Sequence, residues 1–143
     1  MTDQLIQLIY ASSAYEQLSE TELVEILEVS RRKNAERDIT GLLLYRGGNF
    51  LQVLEGPASA VDALYQTIAN DPRHKGIILI ARKAITERDF PNWEMGFTNL
   101  DTLSPDDLPN YSTILDEPFD NQTFSARPSL AHHFVKVFRQ NIR

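Results

Sequence analysis

Residues 39–57 read ITGLLLYRGGNFLQVLEGP. Two apolar runs, 39–46 and 49–55, flank Gly47-Gly48, and a glycine pair between strand-like runs marks a β-hairpin because the tight turn demands positive φ. Pro57 then suits the first turn of a helix, where the N–H it lacks would have no intrahelical partner anyway. Within the second run Gln52 interrupts Phe50, Leu51, Val53 and Leu54. An amide buried there without partners would cost roughly 1–3 kcal/mol. Gln52 therefore faces solvent, bonds neighbouring backbone, or has a partner of its own.

Outward from the hairpin, helix and strand patterns alternate. Residues 4–11 (QLIQLIYA) read as a strand, with Ile6, Leu8 and Tyr10 on one face and Leu5, Gln7 and Ile9 on the other. SETE at 19–22 fits a capping box, in which Ser19 and Glu22 satisfy orphan amides reciprocally. The helix it opens sets Leu23, Ile26, Leu27 and Ser30 on one stripe. Arg31, Arg32 and Lys33 complement its negative end, and Asn34 closes it. A second helix keeps Val61, Leu64, Tyr65 and Ile68 at helical spacing and stops before Asp71-Pro72. GIILIARKAI (76–85) reads as a fourth strand and EMGFTNL (94–100) as a short fifth.

The order βαββαββ predicts an α+β, ferredoxin-like domain, a mostly antiparallel sheet with both helices on one face. Beyond Leu100 the composition changes: residues 101–128 hold four of the seven prolines, which marks loop with one short helix near 104–111. Residues 129–142 (SLAHHFVKVFRQNI) read as a helix with a stripe of Leu130, Phe134, Val137 and Phe138. The chain thus divides into a sheet-forming domain, 1–100, and a C-terminal helical extension, 101–143. The extension is too short for a second catalytic domain and suits a covering layer or an oligomer contact.

A net charge of −6 argues against nucleic acid as a partner, since that affinity rests on Lys and Arg neutralising phosphates. No apolar run approaches the roughly 20 residues of a membrane span, and MTDQLIQLIYASS lacks a basic stretch before its short apolar segment. A cytoplasmic protein away from membranes is expected. The absence of cysteine excludes disulfides, thiol catalysis, Cys-based zinc sites and any cysteine–flavin adduct. His132-His133 point to different helix faces and find no third ligand nearby, so no metal site is expected.

Tyr10 and Gln52 are both polar-tipped residues on otherwise apolar strand faces. In a ferredoxin-like sheet the first and third strands are neighbours, so phenol and amide can meet between sheet and helices, with Asn34 reaching the same space. Taken singly, Tyr10 also reads as core filler, Asn34 as a helix cap, and Ile26 and Ile68 as plain core. Together the motifs resemble the BLUF family of flavin-using blue-light sensors. The resemblance rests on LIYASS with Tyr10, SRRKNAERDITGLLLY with Asn34, NFLQVLEGP with Gln52, NDPRH with Arg73 and His74, and FPNWEMGF with Trp93 and Met95. It runs from about residue 5 to 100.

The resemblance implies a non-covalent flavin, FAD foremost with FMN or riboflavin as alternatives, its ring clamped by Ile26 and Ile68. It implies that Asn34 hydrogen-bonds the ring, that Ser30 and Phe50 complete the wall, and that Arg73 and His74, at the end of the second helix, lie near the ring or its side chain. Lys33 departs from the family, where His or Asn is common; its charge suits a polar edge or a phosphate. Tyr10 would supply an electron and a proton, and Gln52 would relay the proton and change its hydrogen bonds, by rotation or by tautomerisation. Trp93 and Met95 would carry the change to the surface, where a separate signalling protein or a homo-oligomer receives it.

Three other readings compete. An acylphosphatase-like enzyme needs a phosphate-cradling loop with Arg after the first strand, and ASSAYEQLS has neither Gly nor Arg. A flavin oxidoreductase of Rossmann type needs GxGxxG, which GLLLYRGGN is not. A ferredoxin-like interaction module without light sensing is the alternative to a photoreceptor; an enzyme is not expected.

Overall fold

The computed structural model describes residues 4–14, 19–72, 74–91 and 96–99, with short stretches at 126–127, 132–133 and 135–136. Its elements are β1 (Leu5–Ala14), α1 (Glu20–Arg37), β2 (Thr40–Arg46), β3 (Asn49–Pro57), α2 (Ala58–Ala69), β4 (His74–Ala84) and β5 (Gly96–Asn99). The sheet order is β4-β1-β3-β2-β5. The first four strands pair antiparallel, and β5 joins β2 in parallel. This is the expected ferredoxin-like α+β fold, with β1 beside β3.

The hairpin turn forms as its glycines require: Gly47 has φ 56° and Gly48 φ 85°. Gly41 answers a different demand, since a Cβ there would stand 1.9 Å from the Val53 carbonyl oxygen. The capping box also forms, with the Glu22 N–H donating to Ser19 Oγ at 3.2 Å and the Ser19 N–H to Glu22 Oε1 at 3.1 Å.

Two boundaries differ from expectation. Helix α1 does not end at Asn34 but runs on to Arg37, because Ala35, Glu36 and Arg37 are all compatible with helix. The stop is Asp38 in the left-handed region, φ 59°, and the N–H groups of Asp38 and Ile39 both bond the Asn34 carbonyl. Arg37, not Arg31 to Lys33, is the base in the last turn. His74, expected at the end of the second helix, is instead the first residue of β4. Helix α2 closes at Asn70, and the ladder between β1 and β4 extends to Ala14 opposite His74 past two register shifts.

Alternation gives the sheet two buried faces. Ile6, Leu8, Leu43, Phe50 and Leu54 pack with Leu23 and Leu27 of α1 and Val61 of α2. On the opposite face Ile9, Leu42, Leu44, Leu51 and Val53 are each at most 1% exposed, so that face is covered too. Phe90 is buried as well, and Val135 lines a cavity with Gln7 and Ile9. Of the expected C-terminal helix, 132–133 and 135–136 are helical, both histidines are exposed, and the apolar stripe lies outside the described residues, as does 104–111.

The second face also holds a buried carboxylate. Glu55 is 0% exposed and sits opposite Gln7 in the β1–β3 register. Its Oε2 accepts from Gln7 Nε2 and the Asp89 N–H, both at 2.9 Å, and its Oε1 from the Phe90 N–H at 2.7 Å. Arg88 fastens the same loop by donating to Thr40 Oγ1 at 2.9 Å and to the Asp38 carbonyl at 2.8 Å. Glu55→Ala takes one buried charged acceptor each from Gln7 Nε2, the Asp89 N–H and the Phe90 N–H. It should lower stability by about 3 kcal/mol or more, read as the shift in the urea unfolding midpoint.

Candidate functional site

The site is built by strand register. In the antiparallel β1–β3 pair Tyr10 lies directly opposite Gln52, and both side chains belong to the helix-covered face. Tyr10 is 1% exposed and Gln52 6%. The Tyr10 hydroxyl donates a hydrogen bond to Gln52 Oε1. Burial pushes the phenol well above its ordinary pKa, and Tyr65 and Asp71 push it the same way. The Tyr65 ring meets Tyr10 edge-on, 5.6 Å between centroids. Tyr10 is therefore a neutral donor. Gln52 turns the acceptor end of its amide to the phenol, so reversing the amide would reverse what Tyr10 meets.

Tyr10 and Gln52 line a cleft of about 840 Å³, its mouth included. From α1 come Ile26, Val29, Ser30, Lys33, Asn34 and Arg37; from the α2 side come Leu64, Thr67, Ile68 and Asp71; Leu43 and Phe50 add sheet residues. Ile26 and Ile68, expected as a clamp, line the one cleft from different helices. Asn34, one turn inside α1, is 1% exposed and is the second buried amide there. Apolar walls from two helices, with a phenol and two amides among them, suit a planar heteroaromatic ring that carries both donors and acceptors. A flavin is such a ring, and the residues present fit it.

Ser30, Lys33 and Phe50 line the cleft as well. Arg73, Trp93, Met95 and the side chain of His74 lie outside the described residues. Sequence reasoning left out Val29, Arg37, Leu43, Leu64, Thr67 and Asp71 as cleft residues. A signal existed for Arg37, which continues the stripe Ile26, Ser30, Lys33 at helical spacing. In the sequence Leu64 reads as one position of the second helix's apolar stripe, and Asp71 as the residue before which that helix stops.

Residues 5–96 match the family model described as sensors of blue-light using FAD. The photoactivated adenylate cyclase subunit beta of Euglena longa is 33% identical over 138 residues, covering 80% of this chain and 16% of that protein. The blue light- and temperature-regulated antirepressor BluF of Escherichia coli (strain K12) is 30% identical over 135 residues, 94% of this chain and 32% of the other. The chain thus spans a third or less of these relatives. Among solved structures, the dark state of the BLUF protein BlrB superposes with a TM-score of 0.78 at 29% identity, covering 99% of this chain and 100% of that one. A bacterial light-regulated adenylyl cyclase gives 0.75 at 33% identity, covering 97% and 40%. Fold, cleft and family match agree, and the chain belongs to the BLUF family as a flavin-binding, blue-light-sensing domain.

Proposed function

We propose that the cleft holds FAD between Ile26 and Ile68, with FMN and riboflavin as weaker alternatives, and that the Tyr10–Gln52 pair is the light-operated switch. The observation that carries this is the hydrogen bond from the Tyr10 hydroxyl to Gln52 Oε1 in the cleft. Asn34 would hold the polar edge of the ring, Ser30 and Phe50 its wall, and Lys33, Arg73 and His74 its charged or polar periphery.

Bound flavin supplies a strong oxidant when it absorbs blue light. Tyr10 gives up an electron, which makes its Oη proton strongly acidic. That proton would move along the existing bond to Gln52 Oε1 while the amide gives one up from Nε2 to the ring that took the electron, so that electron and proton both leave Tyr10 for the flavin. When electron and proton return to Tyr10, the amide keeps its changed orientation or tautomer. Rotation would leave the bonds of the amide as they were and reverse which end of Gln52 faces Tyr10; tautomerisation would move a proton from Nε2 to Oε1 and leave the same end facing it, now as a donor.

The change would leave through Trp93 and Met95, which precede β5 in the sequence, and through β5, which pairs with β2, toward a separate signalling protein or the interface of a homo-oligomer. Residues 1–100 act as sensor and 101–143 as cover. The domain senses and does not itself catalyse; its relatives include cyclase subunits of which the matched region is a small part. Among the described residues no helix is long and apolar enough to cross a membrane. Purified protein should be yellow, and blue light should shift its absorption reversibly to the red. A colourless protein that takes up no added flavin, or a yellow one that only bleaches, would contradict the proposal.

A further inference from the structure

The walls of the cleft change character along α1. Ile26, Ser30, Lys33 and Arg37 follow one another at intervals of four, three and four residues, so all lie along one face of the helix, and all four line the cleft. Ile26 and Ser30 are half-buried, whereas Lys33 and Arg37 are exposed. The stripe therefore begins apolar and ends as a pair of cations at the solvent side. Neither cation has an ion-pair partner among the described residues. Asp71, the carboxylate among the lining residues, comes from beyond α2 and is close enough to Tyr10 to raise its pKa. An anion at the mouth is therefore drawn to the α1 side.

On the proposed reading, the flavin presents its N5 side to the Tyr10–Gln52 pair. In any flavin N5 and N10 lie on opposite sides of the central ring, and N10 carries the ribityl chain. That chain then leaves away from the sheet, toward solvent, and its far end bears a phosphate ester in FMN and FAD but a hydroxyl in riboflavin. We propose that Lys33 and Arg37 form a phosphate anchor that selects phosphorylated flavins over riboflavin. Arg37 supplies two parallel N–H donors to phosphate oxygens, and Lys33 a point charge one turn earlier. This rests on the flavin-cleft reading and adds the discriminating residues to it.

The test uses the full chain freed of flavin and titrated separately with riboflavin, FMN and FAD, following the quenching of flavin fluorescence. FMN and FAD should bind about tenfold more tightly than riboflavin, as two charge-assisted contacts at an exposed site allow. That advantage should shrink as salt rises from about 0.05 M to about 0.5 M, because exposed charges are screened. In the Lys33→Gln, Arg37→Gln double variant, the ratio of FMN to riboflavin affinity should fall to near one. Lys33→Arg should keep it. Equal affinities for the three flavins in the unaltered protein, or an unchanged ratio in the double variant, would overturn the anchor while leaving the flavin cleft standing. Failure of the unaltered protein to bind even riboflavin would sink the cleft reading and the anchor together.

Discussion

Gln52→Leu should bind flavin and purify yellow, but its absorption should not move to the red under blue light. Leucine is close to glutamine in size and enters a strand face already occupied by Phe50 and Leu54, so the cleft keeps its shape. The Tyr10 hydroxyl loses its acceptor, which costs about 1–3 kcal/mol, partly offset by the apolar side chain now buried. The fold therefore survives. What disappears is a group with a donor at one end and an acceptor at the other, and no aliphatic chain can exchange those ends. The light-minus-dark absorption spectrum should be flat at the red edge. A shift of ordinary size in this variant would remove Gln52 from the mechanism.

Tyr10→Phe has an effect of similar size for a different reason. The ring stays, its edge-on contact with Tyr65 stays, and only the hydroxyl is lost. The variant should again lack the red shift, but it should also fluoresce more strongly, because the nearby phenol that drains the excited flavin of its reactivity has gone. Gln52→Leu keeps that phenol and should remain the dimmer of the two. Paired measurements of flavin fluorescence lifetime and difference absorption separate the roles: Tyr10 as electron and proton donor, Gln52 as the part that rearranges. Equal lifetimes in Tyr10→Phe and the unaltered protein would contradict the donor role.

The legibility of these features follows the range of the interactions that make them. The hairpin, the capping box and the strand faces are set by neighbours within a few residues, so Gly47-Gly48, Ser19 with Glu22, and the alternation that aligns Tyr10 with Leu8 could all be read directly. The meeting of Tyr10 and Gln52 needed the fold as well, because strand order decides which faces adjoin. The same register that pairs them sets Gln7 against Glu55 on the opposite face. That second pair was not recognised. A glutamate just before Gly56-Pro57 reads as the end of a strand entering solvent. The groups that make its burial tolerable are the N–H donors of Asp89 and Phe90, more than thirty residues away.

Helix ends were less legible than helix faces. Asn34 resembles a cap because asparagine often closes helices, yet three residues compatible with helix follow it, and the turn is made by Asp38 instead. The difference matters to function. One turn inside the helix, the Asn34 side chain is buried in the cleft while its backbone carbonyl closes the helix, so a single residue serves both structure and site. His74 shows the converse: a residue expected at a helix end belongs to a strand whose extent depends on irregular pairing with β1.

A crystal structure of the flavin-loaded protein, grown and frozen in the dark, tests the central claim most directly. The Gln52 amide should lie about 3 Å from both the Tyr10 hydroxyl and the N5/O4 edge of the flavin, a hydrogen-bond distance on each side. A ring bound elsewhere, or an amide turned out of that chain so that phenol and flavin share no intermediary, would contradict it.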